Sequence, residues 1–161
     1  MSDTTQPRWL NETQQEAWRG LRTVMSRAFP EMERSLKAHD VLAVHYHIFA
    51  VLSAAPDRTM RLSDIADAAN MSQSHLTHRM RDLVDRGEVM VAPDPEDRRA
   101  KNATLTEAGM VRLEQLAPIH VEDVQRLIFD PLTPEQTEAL ADAMATIADH
   151  LCGHPEFLNP S

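Results

Sequence analysis

Two helical segments followed by two short β segments occupy residues 62–105, and this order constrains the fold more than any other feature of the chain. In "LSDIADAANMSQSHLTHRMRDLVDRGEV", Ser63 is a natural N-cap for a short helix that continues to about Ala69. Asn70 suits the left-handed position after that helix. Ser72 is the expected N-cap of a second helix. The turn between the two helices is short, as is typical of a helix-turn-helix.

The second helix is expected to end at Gly87, where the chain readily takes a positive φ. Beyond it, "EVMVA" and "KNATL" have the composition of strands, and the polar "PDPEDRR" between them is typical of a turn. A hairpin directly after a helix-turn-helix predicts a winged helix. We therefore expect a mainly α fold with a small β-hairpin wing. Arg98 and Arg99 lie at the wing tip, and Asp97 is expected to pair with one of these arginines.

Apolar residues at three- and four-residue steps predict long helices on both sides of this region. One covers about residues 12–36, where Pro30 is expected to kink the helix or split it. A second covers about residues 41–53 and ends before the polar turn "APDRT". Further along, Thr106 caps a helix that reaches about Phe129. A capping box over residues 133–136 begins the last helix.

Composition disfavours several classes of protein. A single cysteine, Cys152, excludes an intramolecular disulfide framework, and no apolar segment approaches the length that spans a bilayer. We therefore expect a cytoplasmic protein without a membrane partner. Only four glycines are present, with no phosphate-binding loop, no supported catalytic triad and no complete metal set. An enzyme is disfavoured, and no cofactor is expected.

The formal charge of −9 argues against a protein that is coated with polyanion over its whole surface. Residues 74–101 are nevertheless neutral, because six basic residues balance six acidic ones there. The remainder of the chain carries the whole negative charge. A neutral block with clustered arginines is compatible with contact to phosphate, while the rest of the surface repels it.

The helix after Ser72 has an apolar face and an opposite polar face when residues are placed at about 100° steps. The residues expected to point inward are Leu76, Met80 and Leu83, with Arg79 near the core boundary. The opposite face carries Ser74, His78, Arg81 and Asp85, flanked by His75 and Thr77. Such side chains read base edges and bind phosphate. An ordinary solvated face is the alternative, and the adjoining arginine-tipped wing favours DNA.

The run from "RLSDIADAANMSQSHLTHRMRDLVDRGEV" through "DPEDRR" to "LTEAG" resembles the MarR family of bacterial transcription regulators. The resemblance covers nearly the whole chain and implies a winged helix that binds double-stranded DNA at pseudo-palindromic operators. It implies DNA contacts from Ser72, Gln73, Ser74, His75, Thr77, His78 and Arg81, and from Arg98 and Arg99 in the wing. The strand after the helix-ending glycine departs from the family by carrying Glu88, Met90 and Val91, which removes possible phosphate contacts.

The resemblance also implies a homodimer in which the terminal helices intertwine with those of a partner. Packing of these helices on their own chain is the alternative. The expected organisation is a flexible tail (1–8), an N-terminal dimerisation segment (9–40), the DNA-binding domain (41–105) and C-terminal dimerisation helices (106–161). One recognition helix and one wing offer few contacts for operator selectivity, whereas two half-sites provide enough.

Regulators that resemble this chain are typically repressors released by a small molecule, an oxidant or a metal. Candidates for an effector pocket are Trp18, Arg22, His45 and Tyr46, and Arg22 suits the carboxylate of an aromatic acid. Core packing is the alternative for Trp18 and Tyr46. His150, Cys152 and His154 form an incomplete metal set, and Cys152 is an alternative redox switch. A winged-helix module that binds protein rather than DNA also remains open.

Overall fold

The computed structural model describes residues 7–69, 71–97 and 99–152 of the chain. This part contains helices and a small antiparallel sheet, in agreement with the expected fold class. The helices are α1 (Glu12–Lys37), α2 (Ala43–Ala54), α3 (Leu62–Ala68), α4 (Gln73–Asp85), α5 (Glu107–Val124) and α6 (Pro134–Cys152). The strands are β1 (Thr59–Arg61), β2 (Val89–Pro93) and β3 (Lys101–Leu105). A short 3₁₀ turn (Pro56–Arg58) precedes β1, and a π-helical turn (Gln125–Phe129) follows α5.

The predicted helix boundaries are mostly confirmed, because local capping decides them. Ser72 accepts the backbone N–H of His75 at 3.4 Å and begins α4. Gly87, just after α4, has φ of 71°. Thr106 accepts the N–H of Gly109 at 3.1 Å and begins α5. The capping box before α6 is also present, with bonds of 2.9 and 3.2 Å between Thr133 and Gln136.

The predicted N-cap of α3 was wrong, one of the two outcomes predicted for Pro30 is excluded, and Asn70 lies outside the described residues. Ser63 does not cap α3: the N-cap is Arg61, and the Ser63 hydroxyl bonds to the Asp64 carboxylate at 3.0 Å. The helix starts early because β1 runs directly into it. Pro30 does not split α1, which continues through it as one helix of 26 residues.

Strand β1 was not anticipated, since three residues are too few to show an alternating pattern. It pairs antiparallel with β3, which also pairs with β2, so the strand order is β1-β3-β2. The hydroxyl groups of Thr59 and Thr104 lie opposite each other at 2.8 Å. The wing is therefore anchored in a three-stranded sheet rather than standing as an isolated hairpin.

The core lies between α2, α4, α5 and β3. Phe49 and Leu52 of α2 are fully buried, as are Leu83 of α4 and Ala103 of β3. All the inward-facing residues predicted for α4 belong to this cluster. Burying one side of α4 in this way leaves its opposite side at the surface.

Gly109 permits a close contact between the start of α5 and the turn after α4. A Cβ at this position would lie 2.1 Å from the carbonyl oxygen of Glu88. The same carbonyl accepts the N–H of Thr106 at 3.1 Å, and the Thr106 hydroxyl donates to Gly87 O at 2.7 Å. The "LTEAG" sequence thus joins α5 to the end of α4.

The terminal helices expose much of their apolar surface. On α1, Met32 and Leu36 are buried, but the first part of the same stripe is exposed, namely Trp18, Leu21, Met25 and Phe29. Helix α6 has no buried residue from 134 to 151, where its side chains are described, and its exposed apolar residues are Met144, Ile147 and Leu151.

Candidate nucleic-acid interface

The predicted recognition helix, α4, presents its polar side to solvent. Leu76, Met80 and Leu83 are 1%, 3% and 0% exposed, so the helix is held by its apolar side. The predicted contacts on this helix are all exposed: Ser72, Gln73, Ser74, His75, Thr77, His78 and Arg81. Arg79 is half-buried, as its position near the core boundary predicts.

Hydroxyl groups are concentrated at the N-terminal end of α4. The hydroxyl groups of Ser72 and Ser74 lie 3.1 Å apart, and Thr77 donates to the carbonyl of Gln73 at 2.8 Å. The first backbone N–H groups of a helix have no helical acceptor, and the helix dipole is positive at this end. This end of α4 therefore combines polar side chains with a local attraction for phosphate.

The wing tip is shaped by Asp94, which the sequence analysis did not single out. Asp94 is 6% exposed, and its Oδ1 accepts the N–H groups of Glu96 and Asp97 at 2.8 and 3.0 Å. Its Oδ2 accepts Nε of Arg61 at 3.0 Å. These backbone hydrogen bonds, followed by the nearby Arg61 charge, hold the pKa of Asp94 below its ordinary value despite burial. An aspartate before a proline is a turn signal that would have indicated it.

Asp97 also orders the tip, but through the backbone. Its Oδ1 accepts the N–H of Arg99 at 3.0 Å, and its carbonyl accepts the N–H of Ala100 at 2.9 Å. The expected pairing of Asp97 with an arginine side chain is not found among the described residues. Arg98 lies outside those residues, so a pairing of Asp97 with Arg98 is not described.

Arg81 and Arg99 are exposed, and neither forms an ion pair with a carboxylate in the described parts of the chain. Their positive charge is therefore not neutralised locally.

Glu88, in contrast, lies close to an oppositely charged side chain. Its side chain is 12% exposed, and its Oε1 lies 4.0 Å from Nε of Arg112 in α5. Glu88, one of the residues expected to remove phosphate contacts from this strand, is thus turned toward the interior.

Known proteins share this arrangement. The family model described as the MarR family matches residues 43–101. AbsC, a MarR family transcriptional regulator from Streptomyces coelicolor, is 34% identical over 92% of this chain and 100% of its own, with a TM-score of 0.85. The chain belongs to the MarR family. Sco3205, a MarR regulator from the same organism solved in complex with DNA, is 32% identical over 91% of this chain and 92% of its own, also with a TM-score of 0.85.

A curated relative is the HTH-type transcriptional repressor IacR from Pseudomonas putida. It is 28% identical over 131 residues, which are 81% of this chain and 77% of IacR. MarR proteins are DNA-binding transcriptional regulators and not enzymes, as the sequence analysis predicted. In the described residues, no helix combines the length and apolar character needed to cross a bilayer.

The four candidate effector residues of this MarR protein lie in different surroundings. Trp18 and Arg22 line one open groove of about 610 Å³ along α1, together with Arg19 and Met25. His45 is 1% exposed, and neither of its ring nitrogens has a hydrogen-bond partner in the described structure. Only Trp18 and Arg22 of the four are therefore brought together at one groove.

Tyr46 contacts α5 instead. Its ring centroid is 4.4 Å from that of His120, with the planes tilted by 45°. Burial raises the pKa of Tyr46 and lowers that of His120. Both shifts favour neutral rings, so this pair resembles a packed contact between α2 and α5.

No three His, Cys, Asp or Glu side chains within the described parts are grouped to hold a metal ion. The proposed triplet lies largely beyond those parts, because His154 and the side chain of Cys152 are not described. The metal and redox hypotheses for this triplet stay predictions.

Proposed function

We propose that this MarR protein is a homodimeric, cytoplasmic repressor that binds a pseudo-palindromic operator and is released by a small-molecule effector such as an aromatic acid. The observation that carries the DNA-binding part is the exposed polar side of α4 beside a wing tip whose Arg99 is unpaired among the described residues. In an otherwise acidic chain these groups give one surface the chemistry of a major-groove reader with a cationic arm.

The proposed contacts divide into two kinds. His78 and Arg81 are suited to base edges, whereas Ser72, Ser74 and the N-terminal amides of α4 are suited to phosphate. Gln73, His75 and Thr77 complete the proposed contacts on this helix. Arg99, and with it Arg98 from the sequence pattern, is assigned to the minor groove or its phosphates.

A dimer is supported by the apolar side chains that the single chain leaves exposed on α1 and α6. Isolated apolar side chains at a surface are ordinary, but contiguous patches on two long helices are typical of an interface. We accordingly propose that segments 9–40 and 106–161 form the dimer and that segment 41–105 binds DNA.

The test begins with selection of a duplex from random DNA by the full-length protein. Arg81→Ala is expected to relax sequence preference, since each lost base contact costs about 1–3 kcal/mol. Arg99→Ala is expected to weaken binding to selected and random duplexes alike. It should also reduce the slope of log K against log salt by about one, because one phosphate contact is lost. Lys37→Ala, which removes an exposed cation from the end of α1, is the matched control and should change neither quantity.

Equal losses on selected and random DNA for Arg81→Ala would show that this residue is only a phosphate anchor. An unchanged salt slope for Arg99→Ala would remove the wing from the interface. A complex with another macromolecule that survives Arg98→Ala combined with Arg99→Ala, without any duplex selected, would favour the protein-binding module instead.

Repression is supported by the similarity to IacR, which is a transcriptional repressor. It predicts that the protein lowers transcription in vitro from a promoter that carries the selected duplex, and an increase would contradict it.

The effector is supported by Trp18 and Arg22, which offer an aromatic face and a guanidinium fork at one groove. Benzoate is expected to raise the melting temperature of the protein but not of Arg22→Met. Stabilisation by a divalent metal alone would favour the metal-responsive alternative.

A further inference from the structure

Two guanidinium groups attach the end of α4 to the corner between α1 and α2. Arg86 is the C-cap residue of α4, and its Nη1 donates to the carbonyl oxygen of Asp40 at 2.8 Å. Arg112 of α5 donates to the neighbouring carbonyl of His39 and also lies beside Glu88, in the turn after α4. The recognition helix is therefore joined directly to the end of α1.

The corner is suited to receive these cations. The corner lies just beyond the C-terminal end of α1, where the negative end of the helix dipole favours nearby cations. After α1 the chain turns through Asp40, which has φ of 59°, and Val41 donates back to Leu36 O at 3.2 Å. This turn leaves the carbonyl groups of residues 39 and 40 available to Arg112 and Arg86.

A second contact lies one helical turn earlier on the same side of α4. Asp82, four residues before Arg86, has its Oδ2 3.8 Å from Nε2 of the buried His45 in α2. Residues four apart share one side of a helix. Asp82 and Arg86 thus hold the C-terminal half of α4 against α2 and the α1–α2 corner, while Ser74 and His78, nearer its N-terminal end, are exposed.

We propose that Arg86 is a positioning residue for DNA binding: through the carbonyl of Asp40, it sets the direction of α4 relative to α1. Helix α4 has 13 residues. At about 1.5 Å per residue it is roughly 20 Å long, so a small rotation about its C-terminal end displaces its N-terminal contacts most. The expected effect of this orientation on operator binding rests on the proposed function, in which α1 is part of the dimer.

The orientation of α4 can be measured without DNA. Spin labels at Glu33→Cys on α1 and Ser74→Cys on α4, in a Cys152→Ser background, report the distance between the two helices when labelled chains are diluted with unlabelled ones. We expect a narrow distribution in this parent and a broad or shifted one after Arg86→Gln. Arg86→Lys keeps a charged donor on a long side chain and should stay close to the parent, whereas the neutral amide of Gln is shorter than the guanidinium that reaches Asp40.

Arg81→Gln is the matched control, since it removes an exposed guanidinium from the same helix but has no described carboxylate or carbonyl partner. A distribution as narrow in Arg86→Gln as in the parent would overturn the proposal. A broad distribution in Arg81→Gln as well would also overturn it, because the effect would then follow any loss of charge on α4.

Binding to the selected duplex gives the second readout. Arg86→Gln is expected to weaken it about tenfold, the scale of one lost base contact, because the N-terminal contacts of α4 are displaced. Since Arg86 is exposed, the melting temperature should fall by only a few degrees. Unchanged affinity would remove the role in DNA binding. A parent that selects no duplex would contradict the proposed function, whereas the distances would still decide whether Arg86 orients α4.

Discussion

Asp94 shows how a single side chain can shape a surface that it does not itself form. Its carboxylate is almost fully buried and accepts hydrogen bonds from two backbone N–H groups of the wing and from the guanidinium of Arg61 in β1. These bonds fix the path of the chain on the way to Arg99. At the residue scale, Asp94 and Asp97 of "DPEDRR" therefore have a structural role, while Arg99 stays exposed.

His45 is a buried residue whose ionisation opposes folding. Burial lowers its pKa, Asp82 acts in the opposite direction, and Arg86 and Arg79 add to the lowering. The unfolded chain, with an ordinary histidine pKa of about 6.5, binds a proton more readily than the folded one. The corresponding stability is fully present above that pH and is lost as the pH falls below it.

We therefore expect the free energy of unfolding, measured in urea, to fall between pH 7.5 and pH 5.5, and to fall less in His45→Leu. His120 also has a lowered pKa, so some dependence should remain in that variant. Asp82→Asn is the informative control: without the nearby carboxylate the pKa of His45 drops further, and the loss of stability should steepen. Identical pH dependence in the parent and His45→Leu would contradict this account.

At the scale of elements, the start of α5 and the turn after α4 meet more closely than any residue with a Cβ permits. A methyl group on Gly109 would contact backbone atoms of Glu88, which have little freedom to move. Gly20, within α1, has no atom within 4 Å of the same position. The two glycines therefore offer a matched pair of substitutions.

Gly109→Ala is expected to lower the free energy of unfolding by about 1–3 kcal/mol, the usual cost of overpacking. Gly20→Ala should raise it by about 0.5–1 kcal/mol, because alanine is the better helix former. Chemical denaturation of both variants measures the two effects. An unchanged free energy of unfolding in Gly109→Ala would mean that the α4–α5 junction can separate without cost.

At the scale of the whole molecule, the described residues expose apolar surface on the helices assigned to the proposed dimer. Helix α6 is amphipathic, with Met144, Ile147 and Leu151 on one side and Asp142, Thr146 and Asp149 on the other. In the described structure its apolar side is not buried by its own chain. An amphipathic helix gains most of its stability by packing such a side, which favours a dimer.

Ile147→Asp is expected to raise the dissociation constant of the dimer by at least about tenfold, because it places a charge in an apolar contact. Thr146→Asp introduces the same group on the polar side and should leave the dimer intact. Sedimentation at several concentrations distinguishes the two. Equal masses for both variants would show that the α6 apolar side is not part of the interface.

Much of the local structure follows from the sequence alone. Caps at Ser72 and Thr106 and the glycine at position 87 act on neighbours three or four residues away, so they place helix ends without knowledge of the fold. The apolar period of α4 likewise decides which side is buried and which side is exposed to solvent. These features depend only on local geometry, and the structure confirms them.

Long-range pairing was decided only by the tertiary structure. Strand β1 exists because β3 offers it a partner, and that strand in turn makes Arg61 rather than Ser63 the residue before α3. The bonds from Arg61 to Asp94 and from Arg86 to Asp40 join residues 33 and 46 positions apart. No periodicity or capping rule connects such residues, since only packing of distant segments brings them within hydrogen-bonding distance.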